Sequence, residues 1–131
     1  MMRIEIETHA SEEFVDLTGK VQDALSRTGR ADGAVLVYCP HTTAGITVQE
    51  NTDPALKEDL LAGLEALAPR NRPWKHAEGN AHAHLKAAML GSSCLVPVAN
   101  GRLQLGRWQA IYLVEFDGPR RRSVQVKVLS A

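Results

Sequence analysis

Residues 94–128, CLVPVANGRLQLGRWQAIYLVEFDGPRRRSVQVKV, contain three apolar or alternating segments separated by two turn signals. Asn100-Gly101 is a pair typical of a two-residue hairpin turn, and Asp117-Gly118-Pro119 marks a second turn. We therefore predict strands over 94–99, 102–116 and 123–128, with Gly106 as a β-bulge in the middle strand. Strands joined by such short turns pair antiparallel.

The residues before this segment add more strands and three helices. Alternation predicts a strand over 3–9, and apolar runs predict strands over 34–38 and 45–49. The first helix starts at Thr18 as N-cap and stops at Gly29, the second is capped by Asp53 and ends at Pro69, and the third follows Asn80 as N-cap. The prediction is an α+β fold over 1–131, a single domain with an antiparallel β-sandwich core and two to three helices packed on it.

Charge and composition exclude several classes of protein. Fifteen basic and fifteen acidic residues balance, so the whole chain has no electrostatic attraction to nucleic acid or to an anionic membrane. The basic run Arg120–Arg122 is interpreted as a solvated turn. The start of the chain alternates and has no continuous apolar segment, which argues against a signal peptide or a membrane anchor. Both cysteines lie in apolar runs as free thiols would, and the predicted location is cytoplasmic.

Four of the five histidines lie between positions 41 and 84. Imidazole is a common ligand of Zn²⁺, and three imidazoles leave a fourth position open for water or substrate. If the third helix includes both His82 and His84, these side chains lie about 200° apart around its axis, so they cannot both face one ion. We predict a divalent metal bound by His41, His76 and His84, with His82 as a possible ligand; zinc fits these ligands better than magnesium, which prefers oxygen.

Further polar residues are candidates for substrate binding or catalysis. In PHTTAGITVQENTDP, residues 40–54, Glu50 can act as a general base, Asn51 offers an amide, and Asp53 is either a second carboxylate or only a helix cap. Later in the chain, Arg102 can bind a phosphate and Trp108 can stack on a heteroaromatic ring, although a plain hairpin with a packed aromatic explains both equally well. Lys86 either contacts an anionic ligand or lies exposed on its helix.

Three ordered motifs resemble the YjbQ family: HTTAGITVQENTDP (41–54), WKHAEGNAHAHLKAAMLG (74–91) and NGRLQLGRWQAIYLVEFDGPRRR (100–122). The resemblance implies a small cytosolic α+β protein with a β-sandwich core, assembled as a homotrimer with sites near the subunit interfaces. It also implies thiamine-phosphate synthase activity, in which a pyrimidine diphosphate and a thiazole phosphate are joined with loss of pyrophosphate.

The family pattern implies a set of site residues at matching positions of this chain. They are His41, Thr42, Glu50, Asn51, Asp53, His76, His84, Lys86, Asn100, Gly101, Arg102, Gly106, Trp108 and Gln109. His82 matches one subset of the family only. The chain departs from the pattern at Arg107, where threonine is usual, and at Ala110, where glycine is common. Because Arg107 adds bulk and charge beside Trp108, the ligand accommodated there need not be that of the family.

Three functions are compatible with these residues. The first is a transferase of the thiamine-phosphate synthase kind, acting on small phosphorylated or heteroaromatic substrates at a histidine-rich metal and anion site. The second is a metal-dependent hydrolase in which Glu50 activates a metal-bound water. The third is a non-enzymatic homotrimer that only binds a metal or a small ligand. None of the three has a nucleic acid or a membrane as partner.

Overall fold

A computed structural model describes residues 1–130, which form eight strands and three helices. The strands are β1 (Met2–Glu7), β2 (Glu13–Asp16), β3 (Gly33–Tyr38), β4 (Ala44–Glu50), β5 (Ser93–Ala99), β6 (Arg102–Leu103), β7 (Gln109–Glu115) and β8 (Arg121–Leu129). The helices are α1 (Thr18–Thr28), α2 (Pro54–Leu67) and α3 (Ala81–Leu90). All strand pairs are antiparallel, in a five-stranded sheet of order β1-β8-β3-β5-β6 and a three-stranded sheet of order β2-β7-β4. The predicted α+β fold class is confirmed.

The main core lies between the two sheets. The five-stranded sheet points alternate valines inward, and the three-stranded sheet faces them with Ile46, Ile111 and Leu113. The inward valines are Val35, Val37, Val96, Val98, Val124 and Val126. Burial of each such side chain contributes about 1.5–3 kcal/mol, so the period-two pattern of the sequence specifies which face of each strand is inside. Helix α1 closes one side of this core.

Helices α2 and α3 cover the outer face of the three-stranded sheet. Tyr112, Val114 and Phe116 pack there against Ala83 and Ala87. Helix α2 covers the sheet only partly, because none of its 14 residues is buried. Within residues 1–130 no helix combines the length and the apolar character that crossing a membrane requires.

The outer face of the five-stranded sheet carries exposed apolar side chains. Leu36 on β3 and Leu95 on β5 are cross-strand partners, and Leu95 is 60% exposed. Tyr38 on the same face of β3 is 41% exposed. A face of this kind is typical of a surface that associates with another protein chain.

Two helix starts differ from the predictions. Leu17, and not Thr18, is the N-cap of α1, and the Thr18 hydroxyl instead accepts a hydrogen bond from the Ile111 backbone N–H at 2.9 Å. Asn80 is the N-cap residue of α3, but its side chain donates to Asp117 Oδ2 at 2.8 Å and does not cap the helix. In both cases a partner distant in sequence replaces the local cap that the sequence predicts.

The predicted strand over 102–116 is in fact two strands in different sheets. β6 pairs with β5, whereas β7 pairs with β2 and β4. Gly106 is therefore not a bulge: it lies in the crossover, where its N–H donates to Gln109 Oε1 at 2.7 Å and its carbonyl accepts the Gln109 N–H at 3.0 Å. β6 has only two residues and β7 is buried on both faces, so an alternation pattern does not mark where one strand ends and the other begins.

Candidate functional site

A cleft opens at the end of the sandwich where β4 and β8 begin. His41, from the connection between β3 and β4, and His84, on α3, both line two adjoining cavities of about 270 and about 390 Å³. The first cavity is polar and is also lined by Thr42, Thr43, Glu78, Asn80, Arg120 and Arg122. The second is lined mainly by small residues: Ala44, Ala87, Ala88, Gly91 and Ser92. We call the two cavities together the His41–His84 cleft.

The backbone of β8 orients His41. The N–H of Ser123 donates to His41 Nε2 at 3.0 Å. A neutral imidazole whose Nε2 accepts a hydrogen bond carries its proton on Nδ1, so His41 offers an N–H donor. Burial, followed by the positive charge of Arg122, lowers the pKa of His41 below its ordinary value and favours this neutral form.

Arg122 and Glu115 form a buried ion pair in the wall of the cleft. The Arg122 side chain is 4% exposed and that of Glu115 is fully buried. Glu115 Oε1 accepts from Arg122 Nε and from the Thr8 hydroxyl, both at 2.8 Å, and Oε2 accepts from Arg122 Nη2. Burial raises the pKa of Glu115, but hydrogen bonds from Arg122, Asp117 and Thr8 outweigh burial, and the net pKa is lowered. The carboxylate therefore stays ionised and holds the guanidinium in place.

Sequence reasoning missed Arg122. The interpretation of Arg120–Arg122 as a solvated turn fits Arg121, whose side chain is 77% exposed, but it is wrong for Arg122. Arg122 lies in phase with Val124 and Val126, whose side chains face the core. Because alternate residues of a strand share a face, the period of β8 was the signal that could have placed this arginine inside.

His76 and His84 are neighbours at the mouth of the cleft. Their rings meet edge to face with centroids 5.2 Å apart, and Glu78 lies 3.9 Å from His76 Nε2. His41 is less suited to a metal ion, since Ser123 already occupies its Nε2 lone pair. Two imidazoles and a carboxylate are donor types that suit Zn²⁺ better than Mg²⁺. The ligand atoms of His76, His84 and Glu78 do not all lie within 4.8 Å of one another, so these residues have the donor types of a zinc site but not its geometry, and the loop that carries His76 would have to move closer to His84 for them to hold an ion.

His82 and Lys86 are buried and face away from the cleft, into a charge cluster whose two carboxylates are partly exposed. The Lys86 ammonium contacts Glu12 Oε2 at 2.7 Å, Glu65 Oε1 at 2.6 Å and His82 Nδ1 at 3.1 Å, and its side chain is 0% exposed. Within residues 1–130, Glu12, Glu65 and His82 are the one set of metal-ligand types whose ligand atoms all lie within 4.8 Å of one another. The ammonium of Lys86 takes the place of a metal ion there. All three of its donors are used, which differs from the predicted ligand-binding role of Lys86.

Several other predicted residues lie at the opposite end of the three-stranded sheet. β4 starts at Ala44 near His41 and ends at Glu50, and seven strand residues span about 20 Å. The Asn51 N–H donates to the Trp108 carbonyl at 3.0 Å. Glu50, Trp108 and Gln109 share a small cavity there with Val48 and Gln49. Asp53 caps α2 as predicted by accepting the Ala55 N–H at 3.0 Å.

The Asn100-Gly101-Arg102 turn also lies at the end of the sandwich away from the cleft. Ser93 at the start of β5 pairs with Tyr38, and Val98 pairs with Gly33, so β5 runs away from His41. The N–H of Gly101 donates to the Ala31 carbonyl at 2.9 Å and is not free to bind phosphate. Within one chain, Arg102 and Glu50 therefore cannot contact a molecule bound between His41 and His84.

Arg107 covers part of Trp108. Its guanidinium lies 4.8 Å from the centroid of the Trp108 ring, and Trp108 is 53% exposed. One face of the indole is thus already occupied by a cation–π contact, and a stacked ligand would have to use the other face.

Comparison with known proteins gives similarity over the whole chain. A family model described as "UPF0047 protein YjbQ-like" matches residues 2–131. The chain is 46% identical over 127 residues to the UPF0047 protein YugU of Bacillus subtilis, covering 96% of each, and 43% identical over 129 residues to a UPF0047 protein of Methanocaldococcus jannaschii, covering 98% of this chain and 94% of the relative.

Two solved structures superpose closely on this fold. A yjbq/upf0047 family protein of Clostridium acetobutylicum superposes with a TM-score of 0.97 at 46% identity, covering 98% of this chain and 100% of that one. A conserved hypothetical protein of Thermus thermophilus gives a TM-score of 0.92 at 51% identity, with the same coverage of 98% and 100%. The similarity therefore includes both sheets and all three helices.

Proposed function

The chain belongs to the UPF0047 YjbQ-like family, and from that premise we propose that it is a small-molecule enzyme whose site is the His41–His84 cleft. The observation that carries the proposal is the convergence of two histidines and two arginines, Arg120 and Arg122, on one polar cavity. Imidazoles transfer protons and guanidiniums bind oxyanions. A small phosphorylated substrate fits this combination.

The proposal includes a divalent metal ion, with zinc preferred to magnesium. His76, His84 and Glu78 are the residues that would hold it, because they are neighbours and offer zinc-type donors. A bound ion would supply Lewis-acid polarisation of a substrate oxygen. His41 would keep its Nδ1–H for hydrogen bonding to the substrate, and Arg120 would face the negative charge of the substrate.

Thiamine phosphate formation is the transfer reaction that we propose to assay first. Its reactants are a diphosphate and a phosphate, and the cleft offers two adjoining cavities, one polar and one lined by small side chains. A departing diphosphate gains negative charge, which Arg120 can stabilise. Hydrolysis of a phosphate ester is the alternative; Glu50 could take part in it only if a neighbouring copy brought it to the cleft, since it lies about 20 Å away along β4 in its own chain.

We propose a homotrimer as the functional form. The groups around Glu50 and Arg102 lie at the end of the sandwich opposite the cleft. A ring of head-to-tail copies would place that end of one subunit against the cleft of the next. The exposed apolar face around Leu36 and Leu95 supports such contacts. This arrangement would give each site residues from two chains.

The metal proposal is tested by elemental analysis of the untagged protein. We expect about one zinc per chain, the stoichiometry of a single site, in the wild type and in a His9→Ala control, whose histidine is exposed and outside the cleft. His76→Ala and His84→Ala should lose the metal. Retention of zinc in both of these variants would refute the assignment of the metal ligands.

The reaction proposal is tested by incubating the protein with the pyrimidine diphosphate and the thiazole phosphate, together and singly, and following products by phosphorus NMR. A product that forms only from both substrates supports the transferase, and phosphate released from one substrate alone supports the hydrolase. Binding without any product supports the non-enzymatic alternative and contradicts the proposed enzyme. A synthase activity that survives His84→Ala would contradict the assignment of the cleft.

A further inference from the structure

Arg122 has one guanidinium nitrogen that the fold does not use. Its Nε and Nη2 atoms donate to Glu115 and Thr43. Nη1 has no hydrogen-bond partner among the described residues, and it is not one of the two unpartnered side-chain atoms sealed from solvent there, Asn80 Oδ1 and Tyr112 Oη. Since Arg122 lines the polar cavity, this nitrogen faces the cleft.

The guanidinium is rigidly held. Glu115 accepts hydrogen bonds from Nε and Nη2 of Arg122, and the Thr43 hydroxyl accepts one from Nη2 at 2.8 Å. Glu115 is fixed in turn, because its Oε2 accepts the backbone N–H groups of Phe116 and Asp117, both at 3.1 Å. An arginine on the surface loses rotamer entropy when it binds a ligand, whereas Arg122 has already lost it on folding. The buried arginine is therefore a preorganised donor.

His41 supplies a second fixed donor beside it. Ser123 follows Arg122 in β8 and its backbone N–H occupies His41 Nε2, which leaves the proton on Nδ1. Nδ1 has no hydrogen-bond partner among the residues that the structure describes, and His41 lines the same cavity as Arg122. The N–H groups of Nη1 and Nδ1 thus provide donors of the type that phosphoryl oxygens accept, in one cavity.

We propose that Arg122 and His41 form a phosphate-binding subsite that anchors the phosphoryl group of a small phosphate monoester in the cleft. This inference rests on the proposed function, because it names the group by which the substrate is held. Arg120 plays a lesser part, since its side chain is 50% exposed and paired with Asp117 at 2.7 Å. Glu115 neutralises the charge of Arg122, so the phosphoryl group is recognised by directed hydrogen bonds more than by net charge. Phosphate binding should therefore depend less on salt concentration than binding to an exposed basic patch does.

The location of the subsite is tested by titrating ¹⁵N-labelled protein with inorganic phosphate and, separately, with glycerol 3-phosphate. Saturable shifts that are largest for the Ser123 and Thr42 amide signals are expected; the Gly101 and Asn51 amides, which approach a cleft only where a neighbouring copy brings them there, should shift less. Shifts centred on Gly101, or none at millimolar ligand, would overturn the proposal. Tighter binding of the ester than of free phosphate is expected; equal binding would overturn the assignment of a monoester as the ligand.

Two neighbouring arginines provide a matched pair of variants. Arg122→Gln and Arg121→Gln remove the same charge from the start of the same strand, but Arg121 is 77% exposed and bonded only to Glu7. We expect Arg122→Gln to raise the Kd for glycerol 3-phosphate at least about tenfold and Arg121→Gln to leave it unchanged. Equal effects of the two substitutions would show that a diffuse surface charge binds the anion.

His41→Gln keeps the proposal testable if Arg122→Gln does not fold. Glutamine can still accept the Ser123 N–H but lacks the Nδ1–H donor, so the variant should melt like the wild type and bind glycerol 3-phosphate several-fold more weakly. Unchanged affinity in His41→Gln would refute the role of His41. A wild type that binds zinc at His76 and His84 but no phosphate would refute this subsite alone; absence of both ligands from the cleft would refute the proposed function as well.

Discussion

The Nε2 atom of His41 accepts the backbone N–H of Ser123 at 3.0 Å, which ties the connection between β3 and β4 to the start of β8. Arg122 is the residue before Ser123, so one strand both buries the guanidinium and orients the imidazole. Because β8 holds both donors, Arg122 directly and His41 through the Ser123 N–H, we expect the geometry of this part of the cleft to persist without a ligand. The loop that carries His76 and Glu78 is the part that would have to adjust if the proposed metal ion binds.

The stability of the protein should fall in mild acid. The pKa values of His41 and His82 are both lowered in the folded protein, mainly by burial and then by the charges of Arg122 and Lys86, respectively. The unfolded chain therefore takes up protons on these residues at a higher pH than the folded chain does. The free energy of unfolding should be greatest above the ordinary histidine pKa and should decline as pH falls from there toward the lowered values.

Urea unfolding at about pH 7.5 and about pH 5.5 measures this decline, within a window above the ordinary titration of carboxylates. His41→Gln should show a smaller difference between the two pH values than the wild type, because one of the two histidines is gone. A wild type equally stable at both pH values would contradict the lowered pKa values.

Lys86 should be a structural residue whose loss creates a metal site. Lys86→Ala leaves Glu12, Glu65 and His82 facing one another without the ammonium that links them; because Glu12 is 13% and Glu65 38% exposed, water compensates part of the loss, and the cost should be below the about 3–5 kcal/mol typical of a fully buried pair. The ligand atoms of these three residues already lie within 4.8 Å of one another. We expect Zn²⁺ to raise the melting temperature of Lys86→Ala far more than that of the wild type.

Lys75→Ala serves as the control, since this lysine is exposed in the loop before α3. It should change neither the melting temperature nor its response to zinc. If zinc stabilised Lys86→Ala no more than the wild type, the three residues would not converge as the structure has them.

Local patterns in the sequence were sufficient for most elements but not for the cleft. The spacing of Val21, Ala24 and Leu25 predicts the buried stripe of α1, and the alternate valines of β8 predict its inward face. The separate placement of β6 and β7 and the pairing of Arg122 with Glu115 depend on which segments become neighbours in space. That information is not contained in a window of a few residues.

The histidines illustrate the same limit. The helical period correctly separates His82 from His84, and the structure turns His84 toward the cleft and His82 toward Lys86. The sequence could not show that Ser123 occupies one nitrogen of His41, because that bond joins residues 82 positions apart. It also could not show that Glu50 lies at the other end of β4 from the histidines.

Gly118 should not tolerate a side chain. A Cβ atom at this position would lie 2.3 Å from the Ala10 carbonyl oxygen and 2.9 Å from Thr8 Oγ1. Relief of such contacts requires backbone movement next to Glu115, so Gly118→Ala should lower the free energy of unfolding by about 1–3 kcal/mol or more.

Gly63→Ala is the matched control, because a Cβ there meets nothing within 4 Å and alanine in the middle of α2 should stabilise it by about 0.5–1 kcal/mol. Denaturant unfolding of both variants measures the two effects; a stability of Gly118→Ala equal to that of the wild type would contradict the close packing at this turn.

Self-association should depend on the outer face of the five-stranded sheet. Leu95 is 60% exposed there beside its cross-strand partner Leu36, and a charge at the centre of a buried apolar contact is strongly unfavourable unless it is paired. We expect light scattering to give a wild-type mass about three times the 14.3 kDa of one chain, as a closed three-fold ring requires. Leu95→Glu should shift the measured mass toward that of the single chain.

Leu67→Glu is the comparison variant, because Leu67 is 68% exposed but lies on α2, at the other face of the molecule. Dissociation by Leu67→Glu and not by Leu95→Glu would place the interface on the helices, and a monomeric wild type would remove the neighbouring copy from the proposed site altogether.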